Sequence, residues 1–227
     1  MPGPHSPSLN ASEPVRTAGP FSSPTPLAVL LSGSGRTLHN LLRMQSAGEL
    51  PIDIRQVVSS RQDAGGLKFA SDYGIDSRVV SPRQFPSPQQ FSEAVFQPFR
   101  ELGVECVVMA GWLKLLPIPR DFENRVVNIH PALIPAFCGH GYYGHHVHEA
   151  ALEMGVKLSG CTVHFVDNEY DHGPIILQRP VPVLDNDTPD TLAARVFAEE
   201  CQALPDALRL LAANGLALRG HVVVRAD

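Results

Sequence analysis

A series of short apolar runs, separated by turns and helical patterns, constrains the fold of this chain more than any other feature. Leu27-Ala28-Val29-Leu30-Leu31, Ile52 to Val58, Val104 to Met109 and Arg125 to Ile129 are each long enough for one strand and too short for a helix. The first of them shows no alternation, so both faces of that strand must be buried, as in a sheet covered by helices on both sides. Helical patterns lie between the runs. Leu38, Leu41 and Leu42 recur at helical spacing. Asp63-Ala64-Gly65-Gly66 leads into a helix to about Tyr73, and another is expected from about Pro88 to Leu102, after a short strand near Ser77 to Val80. This alternation predicts an α/β fold with a parallel sheet. After residue 144 the pattern changes. A helix is expected from His145 to Met154. Leu158 to Val166 and Ile175 to Val183 read as longer strands joined by the acidic turn Asp167 to Gly173. A long amphipathic helix begins at Thr188, with Asp187 or Thr188 as cap, Pro189 in its first turn and Asn214-Gly215 as its stop. The expected fold class is a three-layer, Rossmann-like α/β fold, its central sheet mostly parallel with an antiparallel second half.

Composition narrows the function. The 227 residues carry a net charge of -5, which argues against a general nucleic-acid binder. No apolar run reaches the roughly 18 residues of a membrane span. Cys106, Cys138, Cys161 and Cys201 lack Cys-x-x-Cys spacing, so a reduced, cytoplasmic setting is expected. Residues 1–26 are rich in Pro, Ser and Gly and lack the parts of a secretory signal; they are expected to be a disordered extension before a single domain spanning 27–227.

Three segments carry candidate chemistry. Ser32-Gly33-Ser34-Gly35-Arg36-Thr37 sits between a strand and a helix, where unpaired helix N–H groups and the helix dipole favour an anion. It is neither a dinucleotide fingerprint nor a Walker A loop, so a phosphate monoester is the better fit. The alternative is a tight turn that needs glycine and nothing more. Asn128-Ile129-His130-Pro131 ends a strand, and residues two apart share a face, so Asn128 and His130 project together. An amide donor beside an imidazole suits oxyanion stabilisation and proton transfer; the pair could equally close a turn. Asp171, in the acidic turn, could reach His130 and tune it, or be solvated like most turn carboxylates. Seven of the ten histidines lie between His130 and His172. Even so, His140, His145, His146 and His148 do not meet zinc-ligand spacing, and no metal is expected there.

Ser32 to Gly35, Ala110-Gly111-Trp112-Leu113-Lys114-Leu115-Leu116, Asn128 to Pro135, and Thr162 to Val166 followed by Asp171 to Ile176 occur in this order. Together they resemble the phosphoribosylglycinamide formyltransferase family of folate-dependent enzymes of purine synthesis. The resemblance covers essentially Leu27 to Gly215. It implies a formyltransferase-like fold and formyl transfer from 10-formyltetrahydrofolate, as co-substrate, to the amine of glycinamide ribonucleotide. It implies that Asn128 and His130 stabilise the oxyanion of the tetrahedral intermediate, with His130 also in proton transfer, and that Asp171 positions His130 and assists proton movement through water. Gly35, Arg36, Thr37, Gly111 and Glu200 would hold the ribonucleotide, while Leu113, Lys114, Leu115, Leu116 and Asn128 would meet the folate. No metal, nucleic acid or membrane partner is implied, and monomer and homodimer both remain open.

Overall fold

The computed structural model describes residues 16–213 and 216–225. A short strand β1 (Arg16–Ala18) precedes the central sheet, which is built from β2 (Thr25–Leu31), β3 (Ile52–Ser59), β4 (Ser77–Val79), β5 (Cys106–Met109), β6 (Val126–His130), β7 (Leu158–Phe165) and β8 (Ile175–Pro182). Their spatial order is β4-β3-β2-β5-β6-β7-β8. Pairing is parallel from β4 to β6 and antiparallel from β6 through β8. The expected mostly parallel sheet with an antiparallel second half is therefore what the chain forms.

Strand alternation sends side chains into two cores. Leu27, Val29 and Leu31 pack with apolar residues of α1 (Arg36–Ser46), α4 (His145–Met154) and α5 (Pro189–Ala213). Ala28 and Leu30 pack on the opposite face against Phe91, Val95, Phe96 and Phe99 of α3 (Pro88–Glu101). Helix α2 (Gly66–Asp72) adds Ala70 to the first core. Helix α3 starts where Pro88 occupies the first turn and the Ser87 hydroxyl accepts from the Gln90 N–H at 3.3 Å. Both candidate caps of α5 contribute: the Thr188 hydroxyl accepts from Thr191 N, and Asp187 pairs with Arg195 at 2.7 Å.

The chain builds outward from β2 to β3 and β4, then returns to lay β5 on the other side of β2. Such a reversal opens a crevice at the carboxyl ends of the two strands. The loops after β2 and β5 meet there. Ser32 N–H donates to the Gly111 carbonyl (3.0 Å), and Leu113 N–H donates to the Ser32 hydroxyl (3.0 Å).

The expected disorder through residue 26 needs correction. Strand β1 pairs antiparallel with β9 (Leu216–Arg219), which pairs in turn with β10 (Val222–Arg225). Ala18 and Phe21 are buried in the core, and Thr25 already pairs with Ile52. A Pro- and Ser-rich average conceals these few buried groups, and the backbone partner arrives from the far end of the chain. The rest of the expected extension, residues 1–15, and the Asn214-Gly215 stop lie outside the described residues. None of the described helices is long and apolar enough to cross a membrane.

Candidate active site

A cavity of about 420 Å³ occupies the crevice between β2, β5 and β6. Its first wall is the start of α1. Gly35 caps that helix with φ 76°, no side chain caps the terminus, and no acidic residue stands in its first turn. The helix N–H ladder begins with His39 donating to the Gly35 carbonyl, so the N–H groups of the first turn have no intrahelical acceptor. Gly35 is demanded by packing as well as by φ, because a Cβ there would strike the backbone of Gly66. Gly33 is different: a Cβ would meet nothing within 4 Å. The Arg36 guanidinium lies 3.8 Å from the centre of the Phe197 ring, which fixes its position by cation–π contact. Glu200, half-buried on α5, faces the same space; burial pushes its carboxyl up to about 7, and Arg36 opposes that rise.

The second wall is the end of β6. Asn128 and His130 share a face, and both reach Asp171. Asn128 Nδ2 donates to His164 Nε2 at 3.0 Å and lies 3.4 Å from Asp171 Oδ1. His164, paired directly across from Asn128 in the sheet, donates from Nδ1 to the Phe165 carbonyl (2.8 Å), which leaves Nε2 as the acceptor. His130 Nε2 donates to the Phe137 carbonyl at 2.8 Å, and its Nδ1 faces Asp171 Oδ2 across 3.5 Å. Gly139 N–H donates to that same carboxylate oxygen at 2.9 Å. Phe137 and Asp171, the two residues that hold His130, both have φ of 50°. A non-glycine residue in that region carries backbone strain of order 1 kcal/mol. Strain concentrated at the two partners of one imidazole marks a functional constraint.

The environments of this pair oppose each other. Burial pushes His130 below its ordinary value, outweighing the upward pull of Asp171 and the Phe137 carbonyl. Burial also pushes the Asp171 carboxyl up, but its polar surroundings, among them the donating Gly139 N–H, outweigh burial and hold the group below the usual carboxylate range. At neutral pH Asp171 is therefore charged and His130 is neutral.

A family model described as "Formyl transferase" matches residues 26–208. The chain belongs to the formyl transferase family. A chloroplastic phosphoribosylglycinamide formyltransferase of Vigna unguiculata is 40% identical over 82% of this chain and 60% of the relative. A crystal structure of glycinamide ribonucleotide transformylase 1 from Symbiobacterium toebii superimposes with a TM-score of 0.83 at 40% identity, covering 92% of this chain and 96% of that one. A formyltetrahydrofolate deformylase from Pseudomonas syringae pv. tomato superimposes with a TM-score of 0.78 at 26% identity, over 89% of this chain and 66% of that one. The chain spans about 60% of the length of the two plant relatives it matches.

Within this formyl transferase fold, the residues singled out from the sequence divide between two spaces. Gly35, Arg36, Thr37, Gly111, Leu113, Asn128, His130, Asp171 and Glu200 all line the large cavity. Lys114, Leu115 and Leu116 do not; they border a neighbouring cleft of about 50 Å³, which also touches Asn128 and Asp171. Leu116 is mostly core, only 2% exposed, whereas Leu113 and Leu115 are exposed. Trp112 borders both spaces and stacks parallel to Phe91; its buried Nε1–H has no partner among the described residues.

Sequence reading missed His164 as the acceptor that orients Asn128, and Phe137 and Gly139 as backbone partners of the pair. Only the β6–β7 register could have indicated His164. It also missed His148, which is buried in the cavity wall, has no Nδ1 partner among the described residues, and is pushed down to about 4 by burial and by His145 and His130. The remaining loop histidines, His140, His145 and His146, form no metal-ligand cluster among the described residues.

Proposed function

We propose that the chain transfers the formyl group of 10-formyltetrahydrofolate to the amine of 5′-phosphoribosylglycinamide. The observation that carries this reading is one cavity lined at one end by an uncapped helix start with Arg36 and at the other by Asn128, His130 and Asp171. A phosphorylated amine fits that layout. Its phosphate meets the α1 N–H groups and Arg36, and its amine extends toward β6. Glu200, which keeps its proton well above the usual carboxylate range and is about half protonated near pH 7, suits a ribose hydroxyl. The folate enters past Leu113 and Leu115, with Lys114 near its acidic tail.

The amine nitrogen attacks the formyl carbon, and the carbonyl pair moves onto oxygen. Asn128 Nδ2 donates to that oxyanion in exchange for its long contact with Asp171. Donors of this kind are worth about 2.7–4 kcal/mol each. The ammonium proton passes to His130 Nδ1, where Asp171 stabilises the imidazolium. Collapse restores the carbonyl, breaks the bond to N10 of the folate and returns a proton to that nitrogen.

The likeness to a deformylase makes water the rival acceptor. The deciding measurement follows formyl-folate consumption with glycinamide ribonucleotide, with a panel of sugar-nucleotide amines, and with no amine. Turnover that depends on glycinamide ribonucleotide supports the proposal. Equal turnover without amine means hydrolysis, and preference for a sugar-nucleotide amine reassigns the acceptor.

A further inference from the structure

Outside the cavity, the acidic turn meets the C-terminal hairpin. Asp167, His172 and His221 converge there, each offering one donor atom, and these atoms all lie within 4.8 Å of one another. His172 and His221 are 49 positions apart in sequence, yet their rings stand 4.6 Å apart, edge to face at 77°. Asp167 is preset: Oδ1 accepts from the Glu169 N–H (2.9 Å), and Oδ2 lies 2.7 Å from His172 Nδ1. Gly220, with φ 58°, makes the hairpin turn that presents His221.

We propose that Asp167, His172 and His221 bind a divalent borderline cation of the zinc class. Two imidazoles and one carboxylate are a donor set that such cations accept, with a fourth position left to water. Bonds of about 2.0–2.1 Å place tetrahedral donors roughly 3.4 Å apart, so the widest pair must close by little more than an ångström. His221 is exposed and at a hairpin tip, where its side chain has room to do so. The site is distinct from the His140–His148 loop, where spacing already argued against a metal. The cation would join two parts of the chain. One is the turn that carries Asp171 and whose Asn168 side chain accepts from Ile118 N–H; the other is the β9–β10 hairpin. Occupancy would therefore stiffen the turn behind the cavity without entering the reaction.

The test is a titration of the full chain with Co²⁺, read by its visible ligand-field bands and competed by Zn²⁺, together with Zn²⁺ calorimetry. Wild type is expected to bind one equivalent in a tight phase. His172→Ala and His221→Ala should each weaken that phase at least about 10-fold, while His146→Ala leaves it unchanged. Zn²⁺ should raise the melting temperature of wild type and not of His221→Ala, which melts like wild type in chelator. The proposal is overturned by the absence of a one-equivalent phase, by wild-type affinity in His221→Ala, or by loss of binding in His146→Ala instead. Formyl transfer need not be measured, so these outcomes stand apart from the proposed activity.

Discussion

Replacing Glu200 by Gln tests the electrostatics of the cavity through stability alone. The carboxyl rises from an ordinary 4.5 to about 7, first because burial penalises its charge, with Arg36 opposing. At about 1.36 kcal/mol per pH unit, that rise corresponds to about 3 kcal/mol. The carboxyl keeps contact with the cavity, so solvent screens part of it and about 2 kcal/mol is the figure to expect. The sign follows from proton counting. Between pH 4.5 and 7 the native state holds the Glu200 proton and the unfolded state has released it, so native stability falls as pH rises. The contribution is fully present below pH 4.5 and gone above pH 7. Gln cannot titrate and fills the same volume. Urea unfolding of both proteins at pH 5, 6, 7 and 8 should show the variant gaining on wild type by about 1.2 kcal/mol between pH 5 and 8, the rest of the effect lying below pH 5. Parallel stability curves, within about 0.5 kcal/mol across that range, would falsify the assignment of a carboxyl whose titration burial raises toward neutrality.

His130→Ala and Asp171→Asn should each lower kcat by at least about 10²-fold while ribonucleotide binding, measured by calorimetry, persists; near wild-type turnover in either removes the proposed proton path. Arg36→Ala should chiefly raise KM for the phosphorylated substrate, and an unchanged KM relocates the phosphate. Removing residues 1–24 deletes β1 and the buried Phe21 ring, worth about 1.5–3 kcal/mol, and should lower the melting temperature by roughly 3–12 °C. A truncation of residues 1–15 alone, which keeps β1 and Phe21, serves as the control, and an equal drop from both truncations would contradict the role given to β1 and Phe21.

The sheet was legible because its strands announce themselves in two ways. Leu27 to Leu31 is apolar at every position, and both neighbours of β2 are parallel strands that bury it. The switch in pattern after residue 144 coincides with the change from parallel to antiparallel pairing at β7. Strand β1 and the C-terminal hairpin were not legible. Strand β1 pairs with β9 about 200 positions away, and no local period encodes a partner at that distance, although β9 and β10 themselves pair locally. The glycine loop shows the limit at a single residue. Its sequence suggested an anion, yet Gly35 is fully explained by the close approach of Gly66. The case for a ligand rests instead on open space at Gly33 and on a helix start that no side chain caps.

The candidate roles of His130 can be separated by what surrounds it. Spacing placed Asn128 and His130 on one face but could not say which ring nitrogen was free. In the structure neither is: Nε2–H is spent on the Phe137 carbonyl, and Nδ1 confronts a carboxylate at 3.5 Å. A neutral imidazole lone pair facing an anion is unfavourable until a proton arrives between them. Asp171 is held charged and His130 is held neutral, so the pair is one proton short of its best electrostatic arrangement. It is thereby primed to accept the proton that the attacking amine must lose in the proposed reaction. Oxyanion donation by His130 would require it to abandon Phe137, whereas Asn128 gives up only a 3.4 Å contact. In the reaction we propose, the labour divides accordingly: Asn128 for the developing oxyanion, with His164 aiming it, and His130 with Asp171 for the proton.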